Sequence, residues 1–243
     1  MTKTLPLRAL MLLALPLLAL TGCATRDLGD KVDPAEVSDP LEYLNRSVYG
    51  LNEAADILCF GPASTIYSEG VPDPVQGVVR NVFRNLEMPV IAMNRLLQGR
   101  FDDAGTAIGR FAVNTVAGVG GLADVATDIG LPYEKTDFGV TMASWGAPAG
   151  PYLFLPFMGP SNLRDGAGRM VDSMADPVRI IAMNNDAEAP LYTVTALRAL
   201  DTRASFDGVI QDARENSLDS YATLRSSYGQ NRAAAINAQL DRK

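Results

Sequence analysis

From residue 39 onward, apolar positions recur mostly at three- and four-residue steps, the period of an α-helix. Asp73-Pro74 reads as an N-cap with proline at the first helical position. Val75, Val78, Val79, Val82, Phe83 and Leu86 then mark one apolar face. Pro89 interrupts this pattern, and a second piece carrying Val90, Met93, Leu96 and Leu97 stops at Gly99. Arg80 and Arg84 share the opposite face, either solvated or snorkelling toward lipid phosphates. Residues 102–117 predict another helix, with Ala104, Ile108, Phe111 and Thr115 along one side. Its Gly105 and Gly109 would let a neighbouring backbone approach closely. Ser161 is the expected cap of a helix bearing Leu163, Ala167, Met170, Val171 and Met174, which Asp176-Pro177 restarts through Val178, Ile180 and Ile181. Two more helical patterns lie near 190–203 and 216–232, the second with Leu218, Tyr221, Arg225, Tyr228 and Arg232. With no strand series and no exact repeat, the fold class is all-α.

One stretch resists the helical period. Tyr152-Leu-Phe-Leu-Pro-Phe-Met158 is apolar on every face, and prolines at 148, 151, 156 and 160 forbid a continuous helix. No charged side chain occurs between Asp137 and Arg164. Broken backbone cannot lie bare in lipid, because unpaired N–H and C=O groups are too costly there. The Gly and Pro brackets therefore predict a short hairpin or irregular loop, sheltered by protein or bordering a cavity.

The N-terminus changes the picture. Lys3 and Arg8 precede the apolar run Ala9 to Leu20, which ends in Leu20-Thr-Gly-Cys23. The run is too short to span a bilayer and has the form of a secretory signal, residues 1–22. Leu-Thr-Gly-Cys resembles a bacterial lipobox, which makes Cys23 the expected lipidation site, and Ala24 in the next position favours the outer membrane. Residues 23–38 read as the lipidated N-terminus and a polar tether, 39–232 as one helical domain, and 233–243 as a C-terminal tail. Loss of the signal leaves 221 residues and moves the formal net charge from −7 to −9. So acidic a chain is a poor partner for nucleic acid and is not drawn electrostatically to an anionic membrane. Cys59, in Ile57-Leu-Cys-Phe60, suits a buried small hydrophobe better than a reactive thiolate.

Catalytic chemistry finds little support. The chain has no histidine, which removes Ser-His-Asp and Cys-His machinery and the commonest zinc ligand sets. No Walker A loop or G-x-S-x-G elbow occurs, and nothing calls for a cofactor. Gly118-Val-Gly-Gly-Leu-Ala123 fits a loose dinucleotide fingerprint, but it follows a predicted helix, so its glycines are better read as ending that helix and permitting close packing. Asp102-Asp103 is a helix start rather than an acid/base pair. The chain is therefore not expected to be an enzyme.

Longer motifs carry a family resemblance. They are Asp39-Pro-Leu-Glu with Asn45-Arg46, Asn81-Val-Phe-Arg-Asn-Leu86, Leu97-Gln-Gly99, and Arg110-Phe-Ala-Val-Asn-Thr115 running into Gly120-Gly121 and Asp124. Strongest is Gly150-Pro-Tyr-Leu through Leu155-Pro-Phe and Gly159-Pro-Ser to Arg164-Asp165; Asp201-Thr-Arg-Ala204 and the Tyr221, Arg225, Tyr228 series follow. Over residues 39–232 the chain resembles the MlaA/VacJ family of outer-membrane phospholipid-transport lipoproteins. Ser220 departs from the family's usual proline, and Ile57 to Gly61 is more apolar than the family's basic approach to Pro62. The resemblance implies a ring-like bundle of amphipathic helices with one short irregular hairpin, partly embedded in the outer membrane beside a trimeric porin. Mislocalised outer-leaflet phospholipids would pass through an amphipathic channel to a periplasmic MlaC-like carrier. A structural envelope lipoprotein without transport activity is the alternative. Tyr152, Leu153, Phe154, Leu155 and Phe157 are then candidates for the wall of the lipid path, with Arg164 and Asp165 as candidate head-group partners.

Overall fold

The computed structural model describes residues 37–185 and 188–241; the signal, Cys23 and the tether through residue 36 lie outside them. Helix α1 (Glu42–Ala55) passes through a π-helical turn (Asp56–Phe60) into α2 (Gly61–Gly70). Helices α3 (Asp73–Leu97) and α4 (Phe101–Val116) pack side by side, followed by the short α5 (Val125–Asp128) and by α6 (Phe138–Ser144). Strands β1 (Tyr152–Leu155) and β2 (Gly159–Asn162) form an antiparallel hairpin, the one sheet among the described residues. Then come α7 (Leu163–Ala175), α8 (Pro177–Asn184), α9 (Glu188–Ser205), α10 (Asp207–Asn216) and α11 (Ser220–Leu240). The all-α expectation with one short hairpin holds.

Two apolar clusters organise the packing. Met88, Ile91 and Ala92 of α3 meet Ala107 of α4, with Phe111 and Tyr133 alongside. Tyr152 and Phe154 of β1 meet Tyr221 of α11, flanked by Val37, Val48, Tyr49 and Tyr228. Elsewhere the usual partition is inverted. Polar and charged side chains, among them Asn45, Asn94, Arg95, Arg110, Arg164 and Asp165, are buried nearly as often as apolar ones. Meanwhile Leu44, Leu58, Val116, Met170 and Ile181 are more than half exposed. No described helix is long and apolar enough to cross a membrane.

Several expectations are corrected. Helix α3 does not stop at Pro89 but runs through it. Proline withholds the N–H that would bond the Asn85 carbonyl. Buried residues on both sides of it, Phe83 and Met88 before and Ile91 after, hold the axis. Asp73 is the first helical residue rather than the cap; Pro72 occupies that position without a capping side chain. Gln76 instead closes the corner, donating to the Val71 carbonyl at 2.7 Å and the Ser68 carbonyl at 3.0 Å. On α4 the buried stripe is Ala104, Ala107, Arg110 and Asn114, and Ile108 is 54% exposed. The polar pair wins the inner face because it finds partners there. No chain approaches Gly105, and only the Leu131 side chain nears Gly109; the close approach is in the loop beyond. A Cβ on Gly121 would lie 2.7 Å from that of Asn85, in keeping with the packing role read for that glycine run.

Cys59 is exposed rather than buried. Asp56, at the head of the π turn, is gripped by Arg203 (2.6 and 2.9 Å) and Arg214 (2.7 Å). This clamp fixes the turn by its polar end and leaves Ile57, Leu58, Cys59 and Phe60 facing outward. Helix α10 was not legible as a separate element, since it carries only Val209 and Ile210 as large apolar residues among charges. Helix α11 continues past 232 to Leu240 because Ala233 and Ile236 are buried.

Candidate functional site

The charge-free segment forms the hairpin, and its period of two divides its side chains. Tyr152 and Phe154 turn inward and are buried; Leu153 and Leu155 are half-buried; Phe157, at the tip, is 64% exposed. The tip is tight, with Phe157 at φ 59° and Gly159 at φ 76°. Phe157 reaches across to Phe60 of the π turn, ring centroids 6.1 Å apart. The inward pair is held by edge-on aromatic contacts, Tyr49–Phe154 at 5.4 Å and Tyr152 with both Tyr221 and Tyr228 at 6.1 Å.

A two-stranded sheet in a helical protein leaves strand edges to satisfy. Two asparagines two turns apart on α1 satisfy one of them. Asn45 donates to the Tyr152 carbonyl at 3.0 Å and accepts from Phe154 N–H at 2.9 Å. Asn52 donates to the Leu155 carbonyl and accepts from Phe157 N–H, both at 2.9 Å. Tyr152 N–H donates to the Ser38 carbonyl at 2.9 Å, so residues 37–38 join the packing. Asn45 stood in a recognised motif, but the pairing of Asn52 with it was missed; their seven-residue spacing is the available signal.

Below the hairpin lies a buried charge network. Asn162, not Ser161, caps α7, accepting from Asp165 N–H at 2.8 Å. The Ser161 side chain is fully buried in β2. Asp165 accepts from Arg164 (3.0 Å), from Arg232 (2.7 and 3.0 Å), from Tyr228 (2.5 Å) and from Asn162 (2.9 Å). Arg232 also forks onto Asp137, with two bonds of 2.7 Å. Asp137 in turn caps α6, accepting from Val140 N–H at 2.9 Å. Burial pushes the Asp137 and Asp165 carboxyls upward, but the Arg232 guanidinium outweighs it and holds both below the usual carboxylate range. Asp172 lacks such a partner; burial raises it despite bonds from Phe138 N–H and Asn94. Bare glycines make room for the network: a Cβ on Gly139 would lie 2.5 Å from an Arg232 nitrogen and 2.6 Å from an Asp165 oxygen.

The structure thus separates the predicted site residues. Arg164 and Asp165 are buried with their charges mutually engaged, and Arg164 joins Tyr152 in lining a narrow crevice beside α11. Leu153, Leu155 and Phe157 are those with surface to offer an apolar ligand. Among the described residues no group of side chains has the composition of a metal site.

Comparison with known proteins follows the same lines. Residues 37–235 match the family described as MlaA lipoprotein. The intermembrane phospholipid transport system lipoprotein MlaA of Escherichia coli K12 is 32% identical over 225 residues, covering 90% of this chain and 84% of its own. An uncharacterised protein of Rickettsia bellii is 33% identical over 201 residues, 83% of this chain and 78% of its own. A solved structure, reported as the structural basis for maintenance of bacterial outer membrane lipid asymmetry, superposes with a TM-score of 0.71 at 29% identity, over 82% of this chain and all of the other.

Proposed function

Because this chain belongs to the MlaA lipoprotein family, we propose that it is an outer-membrane lipoprotein serving phospholipid transport and the maintenance of lipid asymmetry. In this reading it takes mislocalised phospholipids from the outer leaflet and passes them to a periplasmic MlaC-like carrier, beside a trimeric porin. Cys23 carries the acyl anchor. The supporting observation is the inverted distribution of polarity: arginines, aspartates and asparagines lie inside while large apolar side chains face outward on helices too polar to span a bilayer. Amphipathic helices lying in the plane of a membrane have this character, and the buried polar groups suit a protein that is itself surrounded by hydrocarbon.

The hairpin borders the lipid path, with its roles divided by strand period. Leu153, Leu155 and Phe157 form the wall; Tyr152 and Phe154 anchor the hairpin; Arg164 and Asp165 set its base through the charge network. A photo-crosslinking residue placed singly at each of Leu153, Phe154, Leu155 and Phe157 in cells tests this division. Phospholipid adducts are expected at Leu153, Leu155 or Phe157, and only protein adducts at Phe154. Protein adducts alone at all four positions would place the path elsewhere. Cys23→Ala is expected to accumulate uncleaved precursor and to disappear from outer-membrane fractions; normal fractionation would remove the anchor. A chain that fractionates normally, yet carries no phospholipid on extraction and mass spectrometry, would leave the purely structural lipoprotein.

A further inference from the structure

The charge network occupies the head-group partners expected from the sequence. Arg164 and Asp165 are buried and engaged with one another, and Asp165 also with Arg232. A phosphate arriving at the hairpin needs a cation that is exposed and has no carboxylate of its own. Among the described residues Arg84, Lys135, Arg169 and Arg179 form no ion pair. Of these, Arg169 is bonded to the hairpin. It is exposed on α7 and donates to the Met158 carbonyl at 3.4 Å and the Pro160 carbonyl at 3.2 Å.

Carbonyl acceptors orient a guanidinium without cancelling its charge, and the remaining N–H donors of the fork stay available. The carboxylates nearest in sequence are taken. Asp165, one turn earlier on α7, is held by Arg164 and Arg232; Asp172 accepts from Phe138 N–H and Asn94. The surroundings are apolar instead. Phe157 and Met158 are exposed at the hairpin tip, and Met170 is exposed next to Arg169. A Cβ on Gly166 would lie 3.9 Å from a Leu155 methyl carbon, so Leu155 lies against α7 one turn before Arg169. A free anion would meet the charge but gain nothing from Leu155, Phe157 and Met158; a neutral lipid would do the reverse. An anion with apolar tails gains from both.

We propose that Arg169 binds the phosphate of a phospholipid whose acyl chains lie against Leu155, Phe157 and Met158. This rests on the phospholipid-transport reading and supplies the head-group contact that Arg164 and Asp165 do not. The guanidinium fork, already aligned by the two hairpin carbonyls, meets the phosphate oxygens with its remaining donors.

Native mass spectrometry of the full lipidated chain tests it, from maltoside micelles holding equal amounts of dioleoylphosphatidylglycerol and dioleoylglycerol. The two lipids share their chains and differ in the phosphate. The wild type is expected to carry about tenfold more of the phospholipid, the scale of one charged contact. Arg169→Gln keeps N–H donors for the hairpin but removes the charge. It should bring the ratio to about one, with diacylglycerol uptake and the urea midpoint unchanged. No preference in the wild type, or an undiminished preference in Arg169→Gln, overturns the proposal. If Arg169→Gln lowers both lipids and the urea midpoint together, Arg169 only pins the hairpin, and the proposal fails. Inorganic phosphate displacing the phospholipid at equal concentration would make this a free-phosphate site and overturn it equally. A photo-crosslinking residue at Met170, which leaves Arg169 intact, gives a second reading in the same micelles. Adducts should favour the phospholipid, and adducts to both lipids alike count against the site. Lipid adducts at the hairpin in cells, without any phosphate preference, leave transport standing and remove only Arg169. Absence of hairpin adducts and of bound lipid of either kind removes the two together.

Discussion

Asn45 shows how much one residue can decide here. It sits on α1, is almost wholly buried, and substitutes for a missing strand by meeting β1 with donor and acceptor at once. The same side chain donates to Asp39 at 2.8 Å. Asn45→Ala would leave the Tyr152 carbonyl and Phe154 N–H unpaired in an apolar cluster. We expect a loss of about 1–3 kcal/mol, the desolvation cost of such groups. Asn52→Ala, acting near the exposed tip, should cost less. Urea unfolding followed by circular dichroism compares the two; equal midpoints would mean that the hairpin edge is satisfied by solvent instead.

At the scale of elements, the hairpin, α6, α7 and α11 act as one unit because a charge network crosses all of them. Arg232 reaches Asp137 and Asp165, which begin α6 and α7. Replacing either carboxylate would leave the buried Arg232 guanidinium with only one of its two partners. Steric room is as necessary as charge. A Cβ on Gly168 would lie 2.5 Å from Gly139 N, and Gly139 faces the Arg232–Asp165 contact itself. Gly139→Ala is therefore expected to cost about 1–3 kcal/mol by forcing packed groups apart. Gly50→Ala, on α1 with nothing within 4 Å, should be neutral or stabilise by about 0.5–1 kcal/mol through reduced chain entropy. Thermal unfolding of the two variants checks this; a destabilised Gly50→Ala with an unaffected Gly139→Ala would refute the packing account.

At the scale of the molecule, paired carboxylates set the response to acid. Burial raises Asp39, Asp124, Asp137 and Asp165, but hydrogen bonds and cations outweigh it and bring each below its ordinary value, Asp124 to about 2. A carboxyl with a depressed folded-state pKa stabilises the fold above its unfolded value, near ~4, and loses that contribution as pH falls toward the folded value. Asp172, raised by burial, runs the other way and offsets part of the loss. Urea midpoints should thus be level from about pH 7 to 5 and fall below about pH 4. A midpoint flat down to about pH 3 would contradict the paired-carboxylate account.

What the sequence determined by itself is local. Helical periods, the Asp176-Pro177 restart, and a charge-free stretch bracketed by glycine and proline are all written within a few neighbouring residues. The all-α class and the hairpin followed from them. Motifs long enough to be specific carried the family. Tertiary structure decided which faces were inside. Apolar residues alone would put Ile108 inward and Cys59 in a core. In fact Arg110 and Asn114 take the inner face of α4 because Asp124 is there to receive them, and Asp56 turns the π segment outward because Arg203 and Arg214 hold it from α9 and α10. The partners that fix these choices lie 10 to 158 residues away along the chain, and the widest of these separations leave no periodic trace in a local window. In a protein whose interior is as polar as its surface is apolar, hydrophobicity marks the helices but pairing orients them.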